Sequence, residues 1–227
     1  MLFPSRKITA VIPAFNEART IEGVVRSVRE CVDEVIVVDD GSTDATAEGV
    51  RRAGGLLIRH ERNAGYDRSL SDGFRMAVDR GADVIVSCDA DGQHRPEDVA
   101  RVIEPLTSGR ASMGIGERQE LTRFGEKVFA RFVRRYGVRD PLCGLKAYRR
   151  EVYEAVGYFD TVGSIGTELM LTALKLGFSM ARVPIEVVPR ADTSRFYRNV
   201  IRGNVRILRA MVRVLLKIAW VRPSHER

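Results

Sequence analysis

The chain has 227 residues, 44% of them hydrophobic and 30% charged, with a net charge of +7 at neutral pH. That apolar content excludes disorder as the general state, and no run of 18 uncharged apolar residues offers an ordinary transmembrane helix. Cys31, Cys88 and Cys143 are odd in number and without paired spacing, which argues for a reducing compartment and against disulfides or a zinc site.

Arg6 and Lys7 run directly into a strand-like segment, so no secretory leader is expected there and a cytoplasmic location is. Strands are expected at Ile8–Ile12, Glu34–Val38, Leu56–Ile58 and Asp83–Cys88. Helices are expected at Arg19–Cys31, Thr43–Ala53, Ser69–Arg80 and Pro96–Leu106, the last with proline in its first turn. Strand–helix alternation with unbroken apolar strands such as Val35-Ile36-Val37-Val38 indicates a parallel sheet covered on both faces. Beyond it the pattern is less regular. Helices are expected at Leu121–Tyr136, Glu151–Val156 and Gly166–Leu176, a loop at Asp140–Gly144, a strand at Met180–Val188 and a long helix from Phe196 to Trp220. No linker divides the chain. Residues 1–200 read as one α/β domain, with 1–110 and 111–200 as its halves, and 201–227 as a basic helix and tail.

Open α/β sheets bind ligands beyond the carboxyl ends of their strands, and three polar turns fall there. Asp89-Ala90-Asp91-Gly92-Gln93-His94 sets two carboxylates two residues apart, a pattern suited to Mg2+ or Mn2+, which take oxygen ligands together with substrate phosphates. In Asp39-Asp40-Gly41-Ser42-Thr43-Asp44 the hydroxyls can cap a helix, while a carboxylate can accept hydrogen bonds from a ribose or nucleobase. Pro13-Ala14-Phe15-Asn16-Glu17 adds polar groups to the same rim. No Gly-x-Gly-x-x-Gly and no Gly-Lys-Ser/Thr phosphate loop is present, which argues against a dinucleotide enzyme or P-loop ATPase.

These three segments, in this order and spacing, resemble the successive motifs of glycosyltransferase family 2, with its GT-A fold: a Rossmann-like, mostly parallel sheet with helices on both faces. Asp140-Pro141-Leu142-Cys143-Gly144-Leu145-Lys146, Glu168, Val183-Pro184-Ile185, Arg190 and Ser194-Arg195 resemble more loosely the dolichyl-phosphate mannose and glucose synthases. The resemblance implies that Asp89, Asp91 and Gln93 hold the metal, with Asp91 acting in catalysis alongside Arg118 and Arg190. It further implies that Pro13, Ala14, Asn16, Glu17, Asp39, Asp40, Asp89 and Ala90 meet the nucleotide, and that Arg118, Arg190, Ser194 and Arg195 hold the acceptor phosphate. Two segments depart from the pattern. Gly65-Tyr66-Asp67 stands where the family often has Gly-Lys-Gly, and Arg190-Ala191-Asp192-Thr193-Ser194-Arg195 is one residue shorter than the usual Arg-x-x-Gly-x-Ser-Lys.

The implied function is an inverting, metal-dependent transfer of sugar from a nucleoside diphosphate (GDP-mannose or a UDP-sugar) to a polyprenyl or dolichyl phosphate. A phosphate monoester, with its second pKa near 6, can attack without a general base. Transfer to a sugar or protein hydroxyl, with Glu168 or Asp140 as base, is the alternative within the class. A non-catalytic basic membrane- or nucleic-acid-binding protein is the alternative outside it. From Arg190 onward ten basic residues face two acidic ones, so this end carries +8 and the other 189 residues carry −1. The final helix interleaves that charge with apolar residues. Arg206, Arg209, Arg213 and Lys217 form a stripe suited to anionic headgroups, with Trp220 at the boundary. The helix reads equally as one that packs on the domain or on a second subunit in a homodimer. Aromatics suited to stacking on single strands are lacking, so nucleic acid is not expected as a partner.

Overall fold

Period-two alternation explains why the first strands are apolar at nearly every position. The computed structural model describes residues 6–188 and 200–221. In it β1 (Ile8–Ala14), β2 (Glu34–Asp39), β3 (Leu56–Arg59) and β4 (Val84–Ser87) are parallel, in the order β3-β2-β1-β4. Val11, Ile36, Val38 and Ile85 point into one core, and Ala10, Ile12, Val35, Val37, Val84 and Val86 into the other. Helices α1 (Ile21–Val28), α2 (Thr46–Arg52) and α4 (Pro96–Thr107) bury their apolar stripes in the second of these. The first core is closed by α3 (Tyr66–Asp79), α5 (Phe124–Val133), α6 (Arg150–Val156), α7 (Thr167–Lys175) and α8 (Val200–Ala219).

The second half extends the same sheet. β6 (Lys146–Arg149) runs antiparallel between β4 and β5 (Met113–Arg118), and β7 (Met180–Ile185) lies parallel to β5 at the edge. Neither β5 nor β6 is expected from the sequence pattern. β5 reads Met-Gly-Ile-Gly-Glu-Arg, and glycine weakens a strand signal. Packing demands that glycine: a Cβ at Gly114 would lie 2.0 Å from the Val102 carbonyl oxygen of α4. β6 is masked by Lys146, which is wholly buried.

Several ends of α1 to α7 shift by up to three residues from the expected positions, and glycines explain one start and one stop. α3 begins at Tyr66, three residues before Ser69, because Gly65 at φ 100° turns the chain into it. α5 tightens into a 3-10 turn at Arg134–Tyr136, and Gly137 stops it in the left-handed conformation at φ 78°. The long C-terminal helix is an integral part of the fold. Ile207, Met211, Val214 and Ile218 are buried in the core, and each such side chain contributes about 1.5–3 kcal/mol. Its opposite side leaves Ile201, Val205, Val212, Leu216 and Trp220 exposed.

Candidate active site

The carboxyl ends of β1, β2 and β4 are stitched together by the turns that follow them. The Asn16 amide, in a left-handed backbone at φ 53°, donates to Ser42 Oγ at 2.8 Å, and Asn16 Oδ1 accepts from the Thr43 amide at 2.9 Å. The Glu17 amide donates to Thr46 Oγ1 at 2.9 Å. Thr20 Oγ1 donates to the Ala90 carbonyl at 2.8 Å, tying the third turn to the first. Above these turns lies a cavity of about 520 Å3, lined among others by Pro13, Ala14, Glu17, Asp40, Asp89, Ala90, Asp91 and Gln93.

Asp89 is fixed by its surroundings. Tyr66 Oη donates to Asp89 Oδ1 at 2.7 Å, and burial with the adjacent Asp89 charge pushes the Tyr66 phenol well above its usual range. The Asp89 amide donates to His94 Nδ1 at 3.3 Å, which places the imidazole proton on Nε2, 3.8 Å from Asp89 Oδ2. Gly144 leaves room for this carboxylate: a Cβ there would lie 2.4 Å from Asp89 Oδ2. Asp91 Oδ1 accepts from the Gln93 amide at 3.1 Å. No three His, Cys, Asp or Glu residues among those described form a self-sufficient metal cage. Two carboxylates fit Mg2+ or Mn2+ nonetheless, because these ions complete their shells with water and substrate phosphate oxygens. Asp89 and Asp91 both line the cavity, and the space that Gly144 leaves accommodates the Asp89 carboxylate there. Gln93 lines the same cavity: its side-chain Nε2 donates to the Val188 carbonyl at 3.2 Å, and its backbone carbonyl accepts the Val188 amide at 3.0 Å.

Asp40 lines the cavity and also orders its wall. Its carboxylate accepts the amides of Ala64 and Gly65 at 2.7 and 2.8 Å, with His60 Nδ1 at 2.8 Å. If the cavity takes the nucleotide, Asp40→Ala is expected to weaken its binding by about 1–3 kcal/mol, both by losing a charged acceptor and by loosening the loop that carries Asn63 and Gly65. Calorimetry with UDP and GDP checks this, and unchanged affinity for both would place the base elsewhere.

Three residues expected at the site are placed outside the cavity lining. Asn16 is used between the turns. Asp39 is fully buried beneath them, accepting from the Ser42 amide at 2.9 Å and pairing with Arg59 at 3.4 Å. Arg118 is clamped by Asp140 at 2.7 and 2.8 Å, with Glu126 3.7 Å away. Both suggested bases are likewise committed. Asp140 holds Arg118, and Glu168, wholly buried, accepts from the Thr161 amide at 2.7 Å and from Lys217 Nζ at 2.9 Å. Arg190, Ser194 and Arg195 lie outside the described residues.

The cavity brings in residues that the motifs do not single out for a role. Asp67 lines it, with Oδ1 accepting the Ile165 amide at 2.8 Å, and burial together with nearby Asp160 pushes its carboxyl up to about 6. Ile165 sits at φ 56° in a loop wound around Asp160, whose carboxylate accepts the amides of Val162, Gly163, Ser164 and Gly166. Lys146, outside the lining, holds this loop from behind: it donates to the carbonyls of Pro141 and Ile165 at 2.8 and 2.5 Å, and burial brings its ammonium down to about 8. From α8, Arg206, Ile207 and Ala210 close the wall. The basic stripe thus divides: Arg206 faces the cavity and Lys217 turns to Glu168.

A family model described as glycosyl transferase family 2 matches residues 9–157. The UDP-N-acetylglucosamine–dolichyl-phosphate N-acetylglucosaminyltransferase of Methanococcus voltae is 27% identical over 214 residues, covering 80% of this chain and 85% of that one. The polyprenol monophosphomannose synthase of Mycolicibacterium smegmatis is 29% identical over 212 residues, covering 82% and 79%. Among solved structures, glucosyl-3-phosphoglycerate synthase from Mycobacterium tuberculosis, crystallised with Mn2+, UDP and glucosyl-3-phosphoglycerate, superposes with a TM-score of 0.75 at 23% identity, covering 97% of this chain and 82% of that one. The α/β architecture is the GT-A fold, and the chain belongs to glycosyl transferase family 2.

Proposed function

We propose that the protein is an inverting, metal-dependent glycosyltransferase that moves a sugar from a nucleoside diphosphate, GDP-mannose or a UDP-sugar, to a polyprenyl phosphate at a membrane surface. The observation that carries the reading is the charge of the cavity. Glu17, Asp40, Asp67, Asp89 and Asp91 line it against a single guanidinium, Arg206, among the described residues. Such a cavity repels a bare diphosphate, so donor binding calls for a cation. Held by Asp89 and Asp91, Mg2+ or Mn2+ would neutralise the charge that grows on the departing diphosphate. The chain's own residues do the rest. Pro13, Ala14 and Phe15 form the wall nearest the first turn, and Asp40 holds the loop opposite.

The acceptor reading rests on where the two bases suggested by the sequence lie and on what borders the cavity. Neither Glu168 nor Asp140 reaches it, and a phosphate dianion needs no base. The two hydrogen bonds between Gln93 and Val188 anchor the end of the described chain beside the Asp89–His94 turn, and in the sequence Arg190 is the second residue after Val188. Arginine suits a phosphate by its forked geometry. The curated relatives named above act on dolichyl phosphate or make a polyprenol monophosphate sugar, by their names. The exposed apolar row on α8 suits a lipid interface, while no helix among the described residues is long and apolar enough to cross a membrane.

One observation favours a second reading. Asp67, buried in the cavity and pushed up to about 6, has the makings of a general base for a hydroxyl acceptor. A pH profile alone does not separate the two, since the phosphate acceptor titrates near the same value. Asp67→Asn does. If phosphate is the nucleophile, the variant keeps turnover within severalfold, whereas loss of a base costs about 100-fold or more. In the free protein the raised carboxyl favours the neutral form, so stability rises as pH falls through about 6, and Asp67→Asn flattens that dependence. The overall test is a panel of nucleotide sugars with a short polyprenyl phosphate, with Mn2+, Mg2+ or chelator. Product that forms only with metal and phosphate acceptor is expected. Product on hydroxyl acceptors alone would overturn the acceptor reading.

A further inference from the structure

A second concavity lies away from the cleft, where the 3-10 turn after α5 meets the edge strand β7. Its volume is about 310 Å3, and its lining residues are Arg134, Gly137, Arg139 and Arg182. Three arginines thus line one hollow with no carboxylate residue in its lining. Elsewhere the surface arginines are mostly matched, as Arg52 is by Glu22 and Arg80 by Glu34. Among the described residues neither Arg134 nor Arg139 has a carboxylate within ion-pair distance. Arg182 is oriented by the Gly137 carbonyl at 3.5 Å and has Glu117 at the limit of contact, 4.0 Å.

The surroundings strengthen the imbalance. From Lys127 to Arg139 the chain carries Lys127, Arg131, Arg134, Arg135 and Arg139 and no acid. The Arg135 guanidinium lies 5.0 Å over the Tyr136 ring, which leaves the other arginines to define the hollow. The left-handed Gly137 stops the turn and exposes its carbonyl to Arg182, so backbone geometry builds the convergence. Like charges lining one hollow repel, and with Glu117 at 4.0 Å from Arg182 as the carboxylate that offsets them among the described residues, an anion in the hollow relieves that repulsion while its oxygens accept forked hydrogen bonds.

We infer that this hollow is a second phosphate-binding site, taking the phosphate of an anionic lipid headgroup. Position selects that ligand. Arg182 lies on the face of the sheet that carries α5 and α8, since its neighbours Val183 and Ile185 point into the opposite core. On that same face Phe124 and Phe132 of α5 and Ile201, Val212 and Leu216 of α8 are exposed. Apolar side chains that enter an interface, together with a hollow on the same face that binds phosphate, are the two signals that hold a protein on a bilayer. The inference does not depend on which acceptor the cleft uses, because lipid binding is read without turnover.

The test compares the full chain with Arg134→Ala/Arg139→Ala/Arg182→Ala, and with Arg26→Ala/Arg51→Ala/Arg52→Ala as a control of equal charge on α1 and α2. One arm measures binding to phosphatidylcholine vesicles with and without phosphatidylglycerol. The other titrates glycerol 3-phosphate with the cleft saturated by nucleotide and Mn2+. The first variant should bind phosphatidylglycerol vesicles about tenfold or more weakly while the control stays within about twofold. Both should keep wild-type nucleotide affinity. Loss of glycerol 3-phosphate binding with vesicle binding intact would keep a phosphate site but overturn the lipid assignment. No change in either arm, or an equal loss in the control, would overturn the site itself.

Discussion

Asp91→Asn is expected to keep the melting temperature of the free protein and to cut turnover by about 100-fold or more, because a neutral amide is a poor partner for Mg2+ or Mn2+. Gly144→Ala should reproduce much of that loss without touching a ligand. The added Cβ would fall 2.4 Å from Asp89 Oδ2 and 2.7 Å from Oδ1, so the carboxylate must swing away. Tyr66 Oη, which donates to Oδ1, then loses its acceptor as well. Calorimetric titration of UDP or GDP with and without Mn2+ reads both variants. The expected result is that metal strengthens nucleotide binding in the wild type and much less in either variant. Wild-type turnover for Asp91→Asn with metal present would remove the metal from this site. Full metal dependence in Gly144→Ala would show that Asp89 does not need the space.

The parallel half of the sheet is legible because local rules and tertiary demands agree there. Val35 to Val38 must be apolar on both sides, and they are, so pattern and packing give one answer. The polar turns after β1, β2 and β4 are legible for the complementary reason: acids at a sheet's carboxyl rim serve no core. The second half resists because its signals are tertiary. Gly114 looks like a strand breaker until the Val102 carbonyl is seen against it. Lys146 looks like a surface residue until two carbonyls are seen to hold its ammonium. Within the site, acidity alone cannot separate Asp39 from Asp40. They are neighbours of one type, and only the direction of each side chain puts one beneath the turn and the other on the cavity wall. Arg118 and Asp140 each resemble site residues and are spent on each other. Arg206 has the opposite history: its spacing groups it with a stripe, and the geometry gives it to the cleft.

The burial of one side of α8 decides how the membrane role proposed for its other side must be tested. Truncation before Val205 would remove Ile207, Met211, Val214 and Ile218 from the core, as well as Arg206 from the cavity, so lost activity would say nothing about lipid. Ile201→Ser/Val212→Ser/Leu216→Ser changes only the outer row, where Ile201 is 76% and Leu216 62% exposed. Each apolar side chain withdrawn from a bilayer interface forfeits about 1 kcal/mol or more. Turnover on polyprenyl phosphate embedded in vesicles should therefore fall by about tenfold or more, while a short, soluble polyprenyl phosphate is used at the wild-type rate. Arg190→Ala should behave in the complementary way, if that arginine holds the acceptor phosphate: transfer to both acceptors collapses, yet donor affinity and slow hydrolysis of the donor by water survive. Equal loss on both acceptors in the serine variant would mean that the outer row supports the fold or a partner chain. A fall in donor affinity for Arg190→Ala as large as the fall in transfer would assign Arg190 to the diphosphate, leaving Arg206 as the cation on the acceptor side.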